Sequence, residues 1–598
     1  MTRSELIYQS WSYEMNHGRT LRFLTAAALV CVTAASQTSP GAQKIDSYNT
    51  PVSRRGNLVV SLRSEPKTLN PAVSNDLSSR EVISQMTADL IHINRLSQQS
   101  EPAIAESWQV SSDGLQYVLH LRPDLKFSDG VTFDADDVVF TFKVYLDPLV
   151  NAPQRDSLTI GGQPLTVRKI NPTTVQFRLA KPYASAERLF DSIAILPRHL
   201  LESPYLKGTL SQQWSLSTPP DHIAGLGAFR LKEYVPGQRI TLERNPYYWK
   251  INRDGSHLPY LSTITFLFVS NEDAEVLRFQ AGDTDLLNRL GADNYAVLKP
   301  QETSRRLRVY DAGPGLEYNF LLFNLNAQVP PGSADIANAQ RWFQAVMFRR
   351  AISAAIDRNA MNRIVFLGRG SPIWTHVTPG NRLWFDGAIP REERSVSRSR
   401  ELLRAAGFSW SKDGGLLDSR GTPVEFSIMV STSSLQRTKM ATMIQQDLKE
   451  LGITVQVTPI EFRSMLDRVF RTHDYEAAVM GLGGGDVDPN SQLNIWMSNG
   501  DDHLWNLGQS RPATTWEAEI DSLMQKQMST LDAAERHRLY NRVQQIEVEE
   551  IPMVFLVAPN LLVARSERLH NFQPAILDSH TLWNADELYV DQDKRPAK

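Results

Sequence analysis

Residues 101–147 read EPAIAESWQVSSDGLQYVLHLRPDLKFSDGVTFDADDVVFTFKVYLD, and this stretch decides the fold prediction. Two short strands, 108–110 and 117–121, are predicted on either side of a polar turn that ends in glycine. After a second turn, the Asp134 carboxylate is expected to accept from the free N–H groups of a helix whose first turn is acidic. A hairpin followed by a helix leaves little room for catalytic residues, so the stretch predicts a scaffold.

The composition is that of a large globular protein with more than one domain. The chain has 598 residues, which is too long for a single hydrophobic core, so two or three domains are expected. Charged residues make up 22% and hydrophobic residues 41%, which argues against disorder. The formal net charge of -3 provides no basic surface for nucleic acid, and the 12 Trp and 17 Tyr suit a receptor that encloses a ligand.

The N-terminal residues are predicted to be a secretory signal that is removed before folding. Residues 23–35 form an apolar run that follows two arginines and ends in small residues, the order typical of a signal peptide. The run is too short to span a bilayer comfortably as an anchor. We therefore assign residues 1–35 to the signal, with Met15 as an alternative start, and 36–55 to a flexible segment. A periplasmic protein is expected.

Cys31 is the only cysteine, and its context distinguishes two kinds of signal. A lipoprotein signal would place Leu three residues before the cysteine and a small residue directly before it, but Ala28 and Val30 stand there. An ordinary signal that is discarded together with Cys31 is therefore favoured over lipidation. The mature chain would then have no thiol and no disulfide.

Further motifs follow along the chain, and together they resemble a known family. They are EPKTLNP (65–71), ILPRHLL (195–201), GLGAFRLKEYVPG (225–237), ITLERNPYYW (240–249), FQAGD (279–283), FLLFNLN (320–326) and FRRAISAAIDR (348–358). With the opening stretch, these motifs resemble the family 5 solute-binding proteins of bacterial ABC importers, which include dipeptide and oligopeptide receptors. The resemblance covers roughly residues 56–590.

The resemblance implies an α/β fold of the periplasmic binding protein-like type II. Two main lobes then lie around a hinge, and an extra α+β lobe is inserted. Lobe I is expected at 56–91, 215–310 and 557–598, the inserted lobe II at 92–214, and lobe III at 311–556. Ligand would sit between lobes I and III, which close over it, while lobe II packs on lobe I.

Local patterns support an α/β chain independently of the resemblance. Residues 348–356 place four apolar side chains on one helical stripe and the arginines Arg349 and Arg350 on the outside. Residues 440–451 repeat that pattern and end at Gly452, and an alternating strand follows. Helix, glycine and strand in this order are typical of an α/β step.

The candidate site is a glycine-rich loop after a predicted strand at 476–480. Its glycines are Gly481, Gly483, Gly484 and Gly485. Glycine lets a backbone approach a ligand closely, although a strained connection with positive φ angles is the alternative explanation. No Gly-Lys-Ser/Thr follows and Pro489 interrupts any helix, so a nucleotide site is not expected.

Both anchors that the resemblance implies for a peptide's termini are altered in this chain. In peptide-binding relatives an Asp of the loop pairs with the ligand ammonium, but Gly485 stands at that position; Asp486, one position displaced, either substitutes for it or does not. The basic residue that holds the carboxylate in some oligopeptide receptors corresponds to Val479, and another basic contact corresponds to Gln436, with Arg437 adjacent. Leu556 is expected near the hinge, at the border of the pocket.

Aromatic residues cluster downstream of the loop and leave the ligand class open. The rings of Trp496 and Trp505 suit stacking on sugar faces, as in relatives that bind oligosaccharides, but core packing explains such rings equally well.

The predicted function is that of an extracytoplasmic receptor. It captures peptides between its lobes and delivers them to the transmembrane subunits of an ABC permease. The same role for an oligosaccharide or another polar solute is the alternative, because both anchors are altered. No catalytic motif and no spaced Cys/His metal cluster is present, so no enzyme, cofactor or metal is expected, and an exported hydrolase is the remote alternative. A monomer is expected because closure needs lobes that are free to move.

Overall fold

The computed structural model describes residues 56–591, except for residues 192, 253–254, 328–329, 331 and 484. The predicted signal peptide with Met15 and Cys31, the segment 36–55 and Gly484 therefore lie outside the described residues. Within the described residues, no helix combines the length and the apolar character needed to cross a bilayer.

Helices and strands alternate along much of the chain. The α-helices are, in order, α1 (Leu77–Met86), α2 (Ala135–Leu146), α3 (Arg198–Leu206), α4 (Glu272–Gln280), α5 (Ala292–Leu298), α6 (Glu302–Arg305), α7 (Ala334–Gln344), α8 (Val346–Ala355), α9 (Arg358–Val365), α10 (Val396–Ala405), α11 (Leu435–Lys449), α12 (Phe462–Asp467), α13 (Leu493–Trp496), α14 (Thr515–Ser529) and α15 (Ala533–Glu550). The strands are β1 (Asn57–Leu62), β2 (Ile91–Ile93), β3 (Ser100–Pro102), β4 (Ala105–Val110), β5 (Gln116–Leu121), β6 (Thr159–Ile160), β7 (Gln163–Pro164), β8 (Thr166–Asn171), β9 (Thr174–Arg178), β10 (Phe229–Val235), β11 (Arg239–Arg244), β12 (Thr263–Phe268), β13 (Leu286–Leu287), β14 (Leu307–Pro314), β15 (Tyr318–Phe323), β16 (Gly370–Pro372), β17 (Ser409–Trp410), β18 (Leu416–Leu417), β19 (Glu425–Ser431), β20 (Thr454–Ile460), β21 (Ala477–Leu482), β22 (Met553–Phe555), β23 (Val557–Ser566), β24 (Leu569–His570) and β25 (Tyr589–Val590).

The largest sheet is assembled from distant parts of the chain. Its strands lie in the order β10-β11-β12-β1-β13-β23-β14, and β16 pairs with β23 at one end. Strand β1 runs parallel to β12 and β13, whereas the hairpin β10–β11 is antiparallel. We call the body built on this sheet the large-sheet lobe. Its chain segments fit the discontinuous lobe I, while the residue boundaries given above stay predictions.

The opening stretch forms the scaffold that its sequence predicts. Strands β4 and β5 form a hairpin in a four-stranded sheet of order β4-β5-β9-β8, and α2 follows. The Asp134 carboxylate accepts from the N–H of Asp136, and the Asp137 carboxylate closes a capping box at the same helix start. This body, here called the inserted lobe, shares one continuous hydrophobic core with the large-sheet lobe.

A second main body, the five-stranded lobe, is built on strands in the order β20-β19-β21-β15-β22. Every residue of β15 is buried because the strand is central and both of its faces are covered. Leu321 and Phe323 point into one hydrophobic core, and Phe320 and Leu322 into the core on the other face. This alternation is what a strand with period two requires.

The chain crosses between the two main bodies at two adjacent places. It leaves the large sheet after β14 and enters β15, and it returns directly from β22 to β23. Leu556, which lies between β22 and β23, is fully buried and donates its N–H to the Asn319 carbonyl at 2.9 Å. The Asn319 side chain in turn donates to the Val557 carbonyl at 3.1 Å. Two short crossings of this kind form a hinge.

One detail of the helix predicted at 348–356 is wrong. The apolar stripe is buried in α8, but Arg349 is buried too, with 3% of its surface exposed. Its guanidinium donates to the carbonyls of Phe343, Glu550 and Ile551, which lie at the C-terminal ends of helices α7 and α15. Burial lowers the pKa of Arg349 to about 10, and the carbonyl groups replace the water that the cation has lost.

Candidate functional site

A cleft of about 480 Å³ lies between the large-sheet lobe and the five-stranded lobe. The volume falls within the roughly 300–1,000 Å³ of ordinary ligand pockets. Charged side chains of the large-sheet lobe, among them Arg63, Arg80 and Asp578, line one wall. Gln436 and the loop after β21 line the opposite wall. The fold therefore brings residues of both lobes to one open space.

The last two residues of β21 and the loop after it, residues 481–483 and 485–486, are here called the glycine loop. Gly483 and Gly485 line the cleft, and a Cβ atom added at either would meet nothing within 4 Å. Gly481 is different, because a Cβ there would lie 2.3 Å from Nη2 of Arg437. None of these three glycines has a positive φ, so a strained turn does not explain them. Their missing side chains leave room for a solute and for Arg437.

Gln436 and Arg437 begin helix α11, yet only Gln436 lines the cleft. The Arg437 guanidinium donates to the Asn319 side chain at 3.0 Å and to the Glu317 carboxylate at 2.9 Å. Glu317 itself lines the cleft. Arg437 thus supports the site from behind, and its charge is balanced by Glu317.

The Asp486 carboxylate is already paired with an arginine of the same chain. Nε and Nη2 of Arg188, in the inserted lobe, donate to its two carboxylate oxygens at 2.7 and 2.5 Å. Asp486 is not among the residues that line the cleft. A bidentate guanidinium–carboxylate pair is a strong, oriented contact, so this aspartate joins the glycine loop to the inserted lobe.

A buried anchor holds the C-terminal end of the glycine loop. The Asp488 carboxylate accepts from Nη1 and Nη2 of Arg536 at 2.8 and 2.7 Å, and both side chains are almost fully buried. Nη1 of Arg536 also donates to the Ser185 hydroxyl of the inserted lobe at 2.9 Å. The loop therefore starts on a sheet strand and ends on a buried ion pair.

The two tryptophans predicted for ligand stacking are buried in a hydrophobic core. Trp496 is 0% and Trp505 is 1% exposed, and their ring centroids lie 5.4 Å apart. Nε1 of Trp505 donates to the Glu517 carboxylate at 3.1 Å. Neither residue lines the cleft, and neither does Leu556. Core packing, the alternative that the sequence left open, accounts for both rings.

The charged wall of the large-sheet lobe was missed in the sequence. Arg63 donates to the Glu275 carboxylate at 2.8 Å and pairs with Glu272 at 3.3 Å. By contrast, the exposed side chains of Arg80 and Asp578 make no hydrogen bond or ion pair with any residue that the structure describes. The only sequence signal was that Arg80 closely follows the motif at 65–71.

Two groups have shifted pKa values here: His580 lines the cleft, whereas Glu81 lies next to Arg80 in the chain but does not line the cleft. Burial raises the pKa of Glu81 to about 7, and repulsion by Asp578 adds to the effect. Burial, with Arg289 nearby, lowers the pKa of His580 to about 4, so the imidazole is neutral near pH 7. Its Nδ1 lies 2.7 Å from the Leu577 carbonyl and its Nε2 lies 2.9 Å from Arg289. Nδ1 therefore carries the proton, and Nε2 accepts from the arginine.

One group of potential metal ligands, Asp89, His92 and Asp191, lies away from the cleft wall. Nη1 of Arg95 is 2.9 Å from Asp191, and Nδ1 of His92 is 3.3 Å from the same carboxylate. A guanidinium already neutralises Asp191, so the group is an ion-pair network and a poor match for a cation.

Comparison with known proteins places this arrangement in a family. The model of the bacterial extracellular solute-binding proteins, family 5 middle region, matches residues 99–503. A probable ABC transporter-binding protein of Deinococcus radiodurans is 27% identical over 84% of this chain and 87% of its own. Heme-binding protein A of Haemophilus influenzae is 25% identical over 89% and 92%.

Oligopeptide-binding protein AppA of Bacillus subtilis is 26% identical over 87% of this chain and 89% of its own. Its structure in complex with a nonapeptide covers 90% of this chain and 99% of that one, with a TM-score of 0.68 and 25% identity. These relatives are named as binding proteins. The cleft between two lobes, the hinge and the match over residues 99–503 agree, and the chain belongs to the bacterial extracellular solute-binding proteins of family 5.

Proposed function

We propose that the protein captures peptides in the cleft between its main lobes and delivers them to the permease of an ABC importer from the periplasm. The observation that carries the proposal is a pair of charges on the cleft wall, Arg80 and Asp578, that no described residue neutralises. A free peptide carries a carboxylate at one end and an ammonium at the other. Charges of opposite sign in one cleft suit such a ligand.

The relatives support this ligand class. The Bacillus subtilis protein is named for oligopeptide binding, and its solved structure contains a nonapeptide. The aromatic rings that favoured a sugar ligand are buried, so no stacking surface at Trp496 or Trp505 faces the cleft. The glycine loop offers backbone groups to an extended ligand, since no side chain at Gly483 or Gly485 blocks its approach.

The lobes are proposed to close over the peptide and to present a new surface to the permease. Ligand shifts the population towards the closed state by its differential affinity for that state. No bond is made or broken in the proposed cycle.

The proposal is tested by titrating the secreted protein with peptides of two to nine residues in a calorimeter. Asp578→Asn is expected to weaken a peptide with a free amino end by about tenfold, because a charge-assisted contact is worth roughly 1–3 kcal/mol. The same variant should bind the N-acetylated peptide as the unsubstituted protein does. Arg80→Gln should weaken a peptide with a free carboxyl end by a similar factor, and it should bind the C-terminally amidated peptide as the unsubstituted protein does.

Asp221→Asn is the matched control, since this carboxylate is 81% exposed and lies outside the cleft. If no peptide binds while a sugar or a heme does, the peptide proposal is wrong. If peptides bind but neither Asp578→Asn nor Arg80→Gln changes the preference for free ends, the charged wall is not the anchor.

A further inference from the structure

A second concave site lies on the large-sheet lobe, away from the interlobe cleft. It encloses about 270 Å³ where the end of α4, the start of β13, the start of β14 and the end of β23 meet. It shares no lining residue with the cleft. Neither the glycine loop nor the charged wall therefore explains it.

Arginines dominate the lining of this second pocket. They are Arg305, Arg306, Arg308, Arg565 and Arg568. Only two carboxylates, Asp285 and Glu567, line the same pocket. Such an excess of guanidinium groups in a concave site creates a local positive potential.

The two carboxylates neutralise only part of this charge. Asp285 accepts from Nε and Nη2 of Arg568 at 2.5 and 2.6 Å, and both side chains are buried. Asp285 also accepts from the Val59 N–H at 2.9 Å, which ties this ion pair to strand β1. Glu567 pairs with Arg308 at 2.7 Å, and Nε of Arg306 lies farther away, at 3.9 Å.

The remaining arginines have donors to spare. Arg305 donates through Nη1 to the Gln280 carbonyl at 3.0 Å, and the side chain of Arg306 makes no hydrogen bond to any described residue. Arg565 donates to the Tyr310 hydroxyl and to backbone carbonyls, all of them neutral groups. Each guanidinium has five N–H groups, so several of them can still bind an anion.

Two hydroxyl groups in the pocket also lack a partner. The Oγ1 atom of Thr284 and the Oγ atom of Ser566 are buried without a hydrogen-bond partner in the described part of the chain. Thr284 is only 1% exposed. A buried hydroxyl without a partner is costly, and an oxyanion bound between the arginines would accept from both.

We propose that this pocket binds an oxyanion of the phosphate class. Guanidinium groups match phosphate geometry with paired N–H donors, and a tetrahedral anion offers more acceptor oxygens than a carboxylate. The same chemistry is present in inorganic phosphate and in the head group of an anionic phospholipid. The site is independent of the proposed peptide cleft.

The experiment measures the affinity of the secreted protein for inorganic phosphate by calorimetry, with acetate at the same ionic strength for comparison. The Arg305→Gln/Arg306→Gln variant should bind phosphate at least tenfold more weakly, and Thr284→Val should weaken it severalfold. Arg471→Gln is the matched control, because Arg471 is a 74% exposed surface residue in another lobe. Unchanged peptide binding and melting temperature establish that each variant folds.

A second arm separates the sources of the anion. The protein is mixed with vesicles of phosphatidylglycerol or of phosphatidylcholine, with and without excess phosphate. Phosphate binding that depends on Arg305 and Arg306 supports the proposal and identifies a free anion as the ligand. Binding only to phosphatidylglycerol vesicles, lost in the double variant and kept in the control, supports it with a head group. If neither probe binds, or if the double variant binds as the unsubstituted protein does, the proposal is overturned.

Discussion

The two walls of the cleft are built on different principles. On the wall of the five-stranded lobe, the glycine loop lies beside Gln436, and Gly483 and Gly485 leave open space. The wall of the large-sheet lobe is made of charged side chains, among which Arg80 and Asp578 have no partner in the described chain. The first wall suits any extended solute, because it presents backbone groups. The second wall carries charged side chains, and we therefore expect ligand preference to reside there.

The walls also differ in how they are held in place. The glycine loop is fixed at its C-terminal end by the buried pair Arg536–Asp488 and is linked to the inserted lobe by Arg188 and Asp486. Beside the charged wall, Glu81 has one buried oxygen without a partner in the described chain, and its pKa is raised. The loop wall is thus tied by paired charges, whereas a carboxyl group whose pKa is raised by burial lies beside the charged wall.

The largest effect is expected when the anchor of the loop wall is removed. Arg536→Met leaves the Asp488 carboxylate buried without its partner, which should lower the free energy of unfolding by about 3–5 kcal/mol. Arg538→Met, two residues away on the same helix, removes an arginine that is 73% exposed and should change stability by less than about 0.5 kcal/mol. Urea unfolding followed by tryptophan fluorescence measures both. Equal losses would show that the buried pair does not hold the loop wall.

A smaller, pH-dependent effect is expected at Glu81, beside the charged wall. The folded-state pKa of Glu81, about 7, lies above its usual value of 4.5. Protonated Glu81 therefore favours the folded state fully below pH 4.5, and this contribution is lost as the pH rises through 7. Its size is roughly 1–3 kcal/mol.

Glu81→Gln should remove this dependence, so that the stability difference between pH 5 and pH 8 becomes smaller than in the unsubstituted protein. Thermal melting across that range measures the change. Glu401→Gln, at a side chain that is 62% exposed, serves as the control and should leave the profile unchanged. A profile that Glu81→Gln does not alter would contradict a raised pKa at this wall.

The smallest effect is expected at Asp486. Asp486→Asn removes the ionic part of its contact with Arg188. At a partly exposed pair this part contributes about 1 kcal/mol or less to the free energy of unfolding. Because this carboxylate does not line the cleft, peptides with free and with acetylated amino ends should lose affinity equally. Calorimetry with both peptides distinguishes this result from the selective loss expected for Asp578→Asn. A selective loss at Asp486 would place the ammonium anchor on the loop wall instead.

The sequence predicted the loop wall better than the charged wall. A run of glycines after a strand is a local pattern, so the sequence predicts Gly483 and Gly485 as site residues, and both line the cleft. Arg80 and Asp578 lie at opposite ends of the chain, and only the pairing of β1, β13 and β23 in one sheet brings those regions together. No local pattern marks either residue as unpaired.

The same limit explains the residues that the sequence placed elsewhere. Asp486 looked available because its partner, Arg188, lies 298 positions away in another lobe. Trp496 and Trp505 follow the loop directly, yet burial is set by the helices that pack around them, and amphipathic patterns do not resolve such a shared core. The scaffold at 101–147 was predictable because its turns and its capping box depend on neighbours a few residues apart.

The position of β23 has a consequence for the order in which the protein is completed. This strand is made late, at Val557–Ser566, yet it lies between β13 and β14, which precede it by more than two hundred residues. The five-stranded lobe is encoded by one uninterrupted stretch that ends at Phe555. All five strands of its own sheet are therefore made before β23. Until then β14 is an unsatisfied edge, and a chain cut short before Val557 would expose it to intermolecular pairing.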